Sequence, residues 1–203
     1  MANISPMDAK DMPAHHTGEV TLRNRIVQAA TAITSTNGWS SVTMGLLAET
    51  IGVSRQTIYN EIGSKHQLAE EVVFTELQHF LALVDGAFQS HPDDLVAALR
   101  TACRDVLVRS AESPLIHAIV STSHGARHEL LPLLTTQSAT LIDTAKSVLQ
   151  NRISPMTRPL AEKELATATD VLVRTILSHV MQPSASPDET ADNMAWLARQ
   201  LLA

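Results

Sequence analysis

The sequence predicts an all-α protein, with a small N-terminal helix-turn-helix head and a larger helical body. Three observations lead there. Hydrophobic residues make up 44% of the 203 and aromatics only 3%, so a sizeable core must be built from Leu, Val, Ile, Ala and Met. Few β-branched residues alternate along the chain, and the apolar spacing is helical. Residues 38–68, GWSSVTMGLLAETIGVSRQTIYNEIGSKHQL, fit three short helices, the middle pair joined by a tight turn at Ile51-Gly52-Val53.

Residues 1–20 have no periodicity and are expected to form a flexible tail. A first helix follows, with Leu22, Ile26, Ala29 or Ala30, and Ile33 on one face; Asn37-Gly38 ends it. Trp39 is expected to pack among the small helices. Thr43 starts the next helix, with Leu46, Leu47 and Ile51 as its apolar positions. Gly45 should weaken that helix by about 1 kcal/mol relative to Ala, and Leu46 is expected to be partly exposed. Ser54 caps the helix after the turn and leaves Arg55, Gln56, Thr57, Tyr59 and Asn60 as a short polar surface. Ser64-Lys65-His66-Gln67 is a capping box that opens the third helix of the set.

From there Leu68, Val72, Leu77, Leu81, Val84 and Phe88 sustain a long helix over about 65–89. Prolines then punctuate the chain at 92, 114, 132, 155, 159, 183 and 187, which partitions the body into helices near 93–111, 114–123, 127–151, 160–181 and 188–202. The expected division is a tail over 1–20, a head over 21–66 and a body over 67–203.

A Gly turn between two helices, the second carrying hydrogen-bonding side chains near its start, is the geometry that fits a DNA major groove. The net charge of −6 speaks against nucleic acid, but its distribution does not. Residues 1–20 carry −2 and residues 67–203 carry −6, whereas residues 21–66 carry +2 from Arg23, Arg25, Arg55 and Lys65 against Glu49 and Glu61. An acidic body behind a mildly basic head also discourages non-specific sticking. Cys103 is the single cysteine, so neither a disulfide framework nor a Cys-based zinc site is available. No signal peptide and no apolar run of about 20 residues is present, which predicts a soluble, cytoplasmic protein with no membrane partner.

Residues 22–68 resemble the DNA-binding domain of the TetR family of transcriptional regulators. The matching pieces are Ala29-Ala30, Gly38-Trp39, Thr43, Ala48, Gly52-Val53-Ser54, Thr57-Ile58-Tyr59, and Ser64-Lys65 followed by Leu68. Residues 70–203 match only in length and helical character. The resemblance implies a homodimer on a double-stranded, palindromic operator. It implies that Thr43 contacts a phosphate, that Arg55, Gln56, Thr57 and Asn60 face the major groove beside the Ser54 cap, and that Tyr59 and Lys65 hold the backbone. Arg23 or Arg25 would reach a neighbouring groove or phosphate. Chemistry agrees in part: Arg pairs bidentately with guanine and Gln with adenine, which makes Arg55 and Gln56 the favoured base readers. Lys65 at a helix start is a good phosphate seat. The sequence departs from the family where Tyr59-Asn60-Glu61-Ile62 replaces the usual Tyr-x-His-Phe. Glu61 would repel a phosphate and is excluded from the contacts.

In this family the last two helices pair with their copies in a partner subunit. Here they carry Leu165, Ala168, Leu172, Ile176 and Val180, then Met194, Leu197, Leu201 and Leu202, a stripe that would equally well close the monomer core. The middle helices should enclose a cavity for a small-molecule effector. Its expected liners are Phe80, Val84, Phe88, Leu99, Cys103, Leu107, Val120 and Leu141, with Ile116, Ile119, Leu134 and Ile142 beside them. So aliphatic a set suits an elongated apolar ligand such as a fatty acid. His117 and His124 are candidates for contact with its head group. The spacing of His117, His124 and His128 also raises a metal, but Gly125 breaks the helix they would need, so no metal and no cofactor is assigned. Arg104 and Arg109 are expected to pair with Asp105 or Glu112 on their own helix. The reading is a ligand-responsive repressor, with two rivals. A helical enzyme is disfavoured because no nucleophile motif, phosphate loop or HExxH pair is present. A ligand-independent architectural DNA binder would have a filled body.

Overall fold

A computed structural model describes residues 21–120, 130–134, 138–157 and 161–202. The helices are α1 (Leu22–Asn37), α2 (Met44–Ile51), α3 (Arg55–Ile62), α4 (Lys65–Ser90), α5 (Leu95–Glu112), α6 (Pro114–Val120), α7 (Leu131–Leu134), α8 (Ala139–Ile153), α9 (Glu162–Met181) and α10 (Pro187–Leu202), with a 3-10 turn at Trp39–Ser41. No strand occurs among the described residues, as the composition predicts.

The local code for the first four helices is a hydroxyl at each start. Thr21, Thr43, Ser54 and Ser64 accept hydrogen bonds from the backbone N–H groups of Asn24, Leu46, Thr57 and Gln67. Each satisfies a donor that has no partner within its helix. The Gln67 side-chain oxygen in turn accepts from the Ser64 N–H, which completes the capping box. Gly52 closes α2 in the left-handed region at φ 79°, ψ 39°, a conformation that costs a residue with a Cβ roughly 1–2 kcal/mol.

Two apolar clusters form. The first gathers Ile26, Ala30, Leu47, Ile58, Leu68 and Val72 from α1–α4 with Val42 before α2, and it also takes in Leu115 and Ile119 of α6. The second gathers Phe88, Leu99, Cys103, Val106, Ile153, Leu172 and Met194 from α4, α5 and α8–α10, and it takes in Ile116 of α6. The short α6 is thus shared between both, and it packs against α1. In the body, α5 lies between α4 and α10.

The sequence reading needs correction in two places. The helix expected over 127–151 is not continuous, because Ser138 stands outside α8, which starts at Ala139. Arg109 pairs not with Glu112 but across to Glu76 of α4 at 3.5 Å, whereas Arg104 bonds Asp105 as expected and Asp188 of α10 besides. Arg23 is held by Glu71 at 2.8 Å and by the Glu61 carbonyl, and Arg25 donates to the Ile51 carbonyl, so both side chains tie the head together in this structure. Trp39 is buried as expected, and Leu46 is partly exposed.

Candidate DNA interface and apolar cavity

The turn at Gly52 and the cap at Ser54 set the orientation of α3. Ile58 and Ile62 point into the head core and are buried. The same pitch leaves Ser54, Arg55, Gln56, Tyr59 and Asn60 exposed on the opposite side, with Thr57 half-buried. That outer edge is partly organised. The Ser54 and Thr57 hydroxyls lie 2.8 Å apart, and Gln56 donates to the Asn60 side-chain carbonyl at 2.8 Å. Thr43 is exposed at the start of α2, and Lys65 at the start of α4 holds its ammonium 5.3 Å from the centre of the Trp39 ring. The guanidinium of Arg55 does not extend along α3 but lies against Gly45 of α2. Ser54, Arg55, Gln56, Tyr59 and Asn60 thus share the outer side of α3 and its cap, while Thr43 and Lys65 stand at the starts of α2 and α4.

The body contains a cavity of about 170 Å³. Of the expected liners Phe80, Val84, Leu99, Cys103 and Leu141 border it, as do Ile116, Ile119 and Ile142. Phe88 is instead buried in the neighbouring core. Leu107, His117 and Val120 border a second hollow, of about 210 Å³, together with Ser110, His179 and Thr190. The two spaces share Ile116 and Val180 as a common wall. His124, His128 and the Leu134 side chain lie outside the described residues. No group of three His, Cys, Asp or Glu side chains close enough to hold a metal occurs among the described residues. Nor is any helix among them long and apolar enough to cross a membrane.

Sequence reasoning missed Glu76, the one charged residue on the cavity wall among the described residues. Its carboxylate is buried and accepts from the Ser113 hydroxyl at 2.9 Å and from His79 Nδ1 at 3.2 Å, with Arg109 at 3.5 Å. Burial alone pushes this carboxyl up, but the bonds from His79 and Ser113 and the Arg109 charge outweigh it and hold the group below its ordinary range. The signal was an acid at a helical spacing of three and four from Val73, Val72 and Phe80, on the apolar face of its helix. Ser113 also accepts from the Ile116 N–H at 3.3 Å, so one hydroxyl joins α4 to the first turn of α6.

Cys103 faces the cavity, and burial pushes its thiol up to about 12. It therefore stays protonated at neutral pH and should not react as a nucleophile. A disulfide reagent at about pH 8 should leave the native protein unlabelled and titrate one thiol after denaturation; rapid native labelling would show that the cavity wall opens.

Comparison with known proteins agrees with this arrangement. Residues 26–72 match the family described as bacterial regulatory proteins, tetR family, and residues 94–200 match bacterial tetracyclin repressor, C-terminal domain. The chain is 28% identical over 192 residues to the HTH-type transcriptional regulator AlkX of Mycobacterium tuberculosis (strain ATCC 25618 / H37Rv), spanning 94% of this chain and 89% of that protein. It is 26% identical to the TetR family repressor AlkX from Dietzia sp. strain DQ12-45-1b, a protein implicated in biodegradation of n-alkanes. That crystal structure superposes with a TM-score of 0.73 over 89% of this chain and 94% of the other. A TetR-family regulator from Pectobacterium atrosepticum, 14% identical, shares the fold with a TM-score of 0.66 over 89% and 94% of the two chains. Proteins of this kind regulate transcription and are not enzymes, and the match of both head and body leaves one assignment: this chain belongs to the TetR family of transcriptional regulators.

Proposed function

We propose that the protein is a ligand-responsive repressor working in the cytoplasm. Two copies bind a palindromic operator, and an elongated apolar effector, fatty-acid-like in character, releases them. In this reading residues 21–66 form the DNA-binding head and residues 67–203 the effector-binding and dimerisation body. The observation that carries the reading is the double membership of α6. Leu115 and Ile119 border the cavity, and the same two side chains belong to the apolar cluster of the head. A ligand that repacks the wall must act on the cluster that positions α1–α3. For that contact to switch DNA binding, the ligand must favour one arrangement of the wall over another. A difference of about 1–3 kcal/mol changes operator occupancy substantially.

The effector class follows from the wall, where apolar, mostly aliphatic side chains surround a single carboxylate whose oxygens already have partners. The similarity to AlkX, implicated in n-alkane biodegradation in Dietzia, points the same way. Dimerisation is supported by α9 and α10. Ala168, Leu172, Val180, Met194 and Leu202 of the expected stripe close the monomer core, whereas Val171, Trp196 and Leu201 stay exposed, Trp196 at 61%. Exposed large apolar groups on these two helices suit burial by a second copy. The cavity also argues against a purely architectural DNA binder, which needs no space inside its body.

Selection of bound duplexes from a random pool should return a palindrome, because two heads related by symmetry read two half-sites. Fluorescent acyl chains should bind saturably and release the selected DNA. A motif without two-fold symmetry would remove the dimer, and saturable binding at no chain length would remove the effector.

A further inference from the structure

We propose that Arg55 grips the DNA backbone rather than a base, and that Gly45 is the position that makes it do so. The proposal rests on the reading above only in that α2 and α3 dock on duplex DNA. A Cβ placed at Gly45 would stand 2.7 Å from Arg55 Nη2 and 2.9 Å from both Cζ and Nε. Most of the guanidinium therefore occupies the space that any other residue at 45 would fill. The seat lies on the first turn of α2, two residues beyond the exposed Thr43.

This placement separates two tasks on the polar edge. Gln56 and Asn60 are joined at 2.8 Å, one turn apart on α3, and offer amide groups of the kind that pair with adenine. The Arg55 head has been drawn off that line onto the neighbouring helix. In a docked helix-turn-helix, the second helix enters the major groove while the first crosses the backbone. A guanidinium resting on the first helix faces the strand that this helix crosses. Among the described residues no carboxylate pairs with Arg55, so its charge is available to a phosphate, whose oxygens match the guanidinium fork. A glycine inside an eight-residue helix is otherwise a poor choice. Its cost is explained if the vacant side-chain space holds the arginine.

The test compares full-length variants on the sequence that the wild type selects and on an unrelated duplex, across a range of salt. Arg55→Ala should weaken both by a common factor, on the order of ten. It should also lower the slope of log affinity against log salt by about one and select the same motif as wild type. Gly45→Ala should reproduce the loss by displacing the guanidinium, while raising the melting temperature by about 2 °C, which excludes unfolding as the cause. Added to Arg55→Ala, it should change binding no further. The proposal is overturned if Arg55→Ala relaxes preference at one base pair and leaves the salt slope unaltered, or if Gly45→Ala binds as wild type does. A wild-type protein that selects no palindrome would remove the operator reading alone, since the salt slope on any duplex still tests Arg55.

Discussion

Glu76→Ala is expected to lower the melting temperature at neutral pH by about 6–12 °C, equivalent to roughly 3 kcal/mol. The size follows from what the carboxylate leaves behind. His79 and Arg109 are about half exposed, and water replaces their lost partner. Ser113 is buried, and its hydroxyl loses its acceptor. The removed side chain also enlarges the cavity it borders. Glu76→Gln should cost much less, because an amide oxygen still accepts from Ser113. The two variants also report the charge. The folded carboxyl is held below its ordinary value of 4.5. Its contribution to stability is therefore complete above about that pH and is lost as pH falls through the lowered folded value. Thermal melts should show the gap between wild type and Glu76→Gln closing as pH falls below 4.5. A gap that stays constant over this range would mean that the ionised form adds nothing to stability.

Ile58→Ala should weaken operator binding severely while most of the helical signal remains. Ile58 is fully buried at the centre of α3, and truncating such a side chain costs about 2–5 kcal/mol. An eight-residue helix has no stability of its own in water. It is held by its cap and by two inward residues, Ile58 and Ile62. Losing one of them loosens the edge that carries Gln56 and Asn60. The body has its own apolar cluster and should keep its cavity. The expected result is a loss of DNA affinity on the order of a hundredfold or more, with saturable acyl-chain binding retained. Wild-type DNA affinity in this variant would show that α3 is positioned by something other than its buried face.

The head was legible because its determinants are local. Thr43, Ser54 and Ser64 cap the helix that each immediately precedes, and Gly52 turns the chain where it stands. Three-residue signals of this kind survive without knowledge of the fold. The body helices were legible to within about two residues where proline or glycine marks their ends. The break before α8 was not, since leucines continue at helical spacing on both sides of it. The position of Glu76 on an apolar helix face was legible, but what it pairs with was not. Its partners Arg109 and Ser113 are 33 and 37 residues away and come together only when α4, α5 and α6 pack. Likewise the sequence marks Gly45 as a weak point in α2, but only the approach of α3 shows what fills the space. The cavity liners were half legible, because core and cavity use the same residue types; Phe88 and Phe80 look alike until one is seen buried and the other bordering a void.

Leu115 and Ile119 answer to two packing problems at once. A change in volume at either position alters the hollow and the reading head together, so neither can drift to suit a new effector while the head keeps its shape. The freedom to alter chemical preference must reside in walls that touch only the interior, such as Leu99 and Cys103 on α5, Leu149 on α8 and Leu172 on α9. Lineages that acquire new effectors on this scaffold should therefore vary along α5, α8 and α9 and stay fixed in volume along the inner turn of α6.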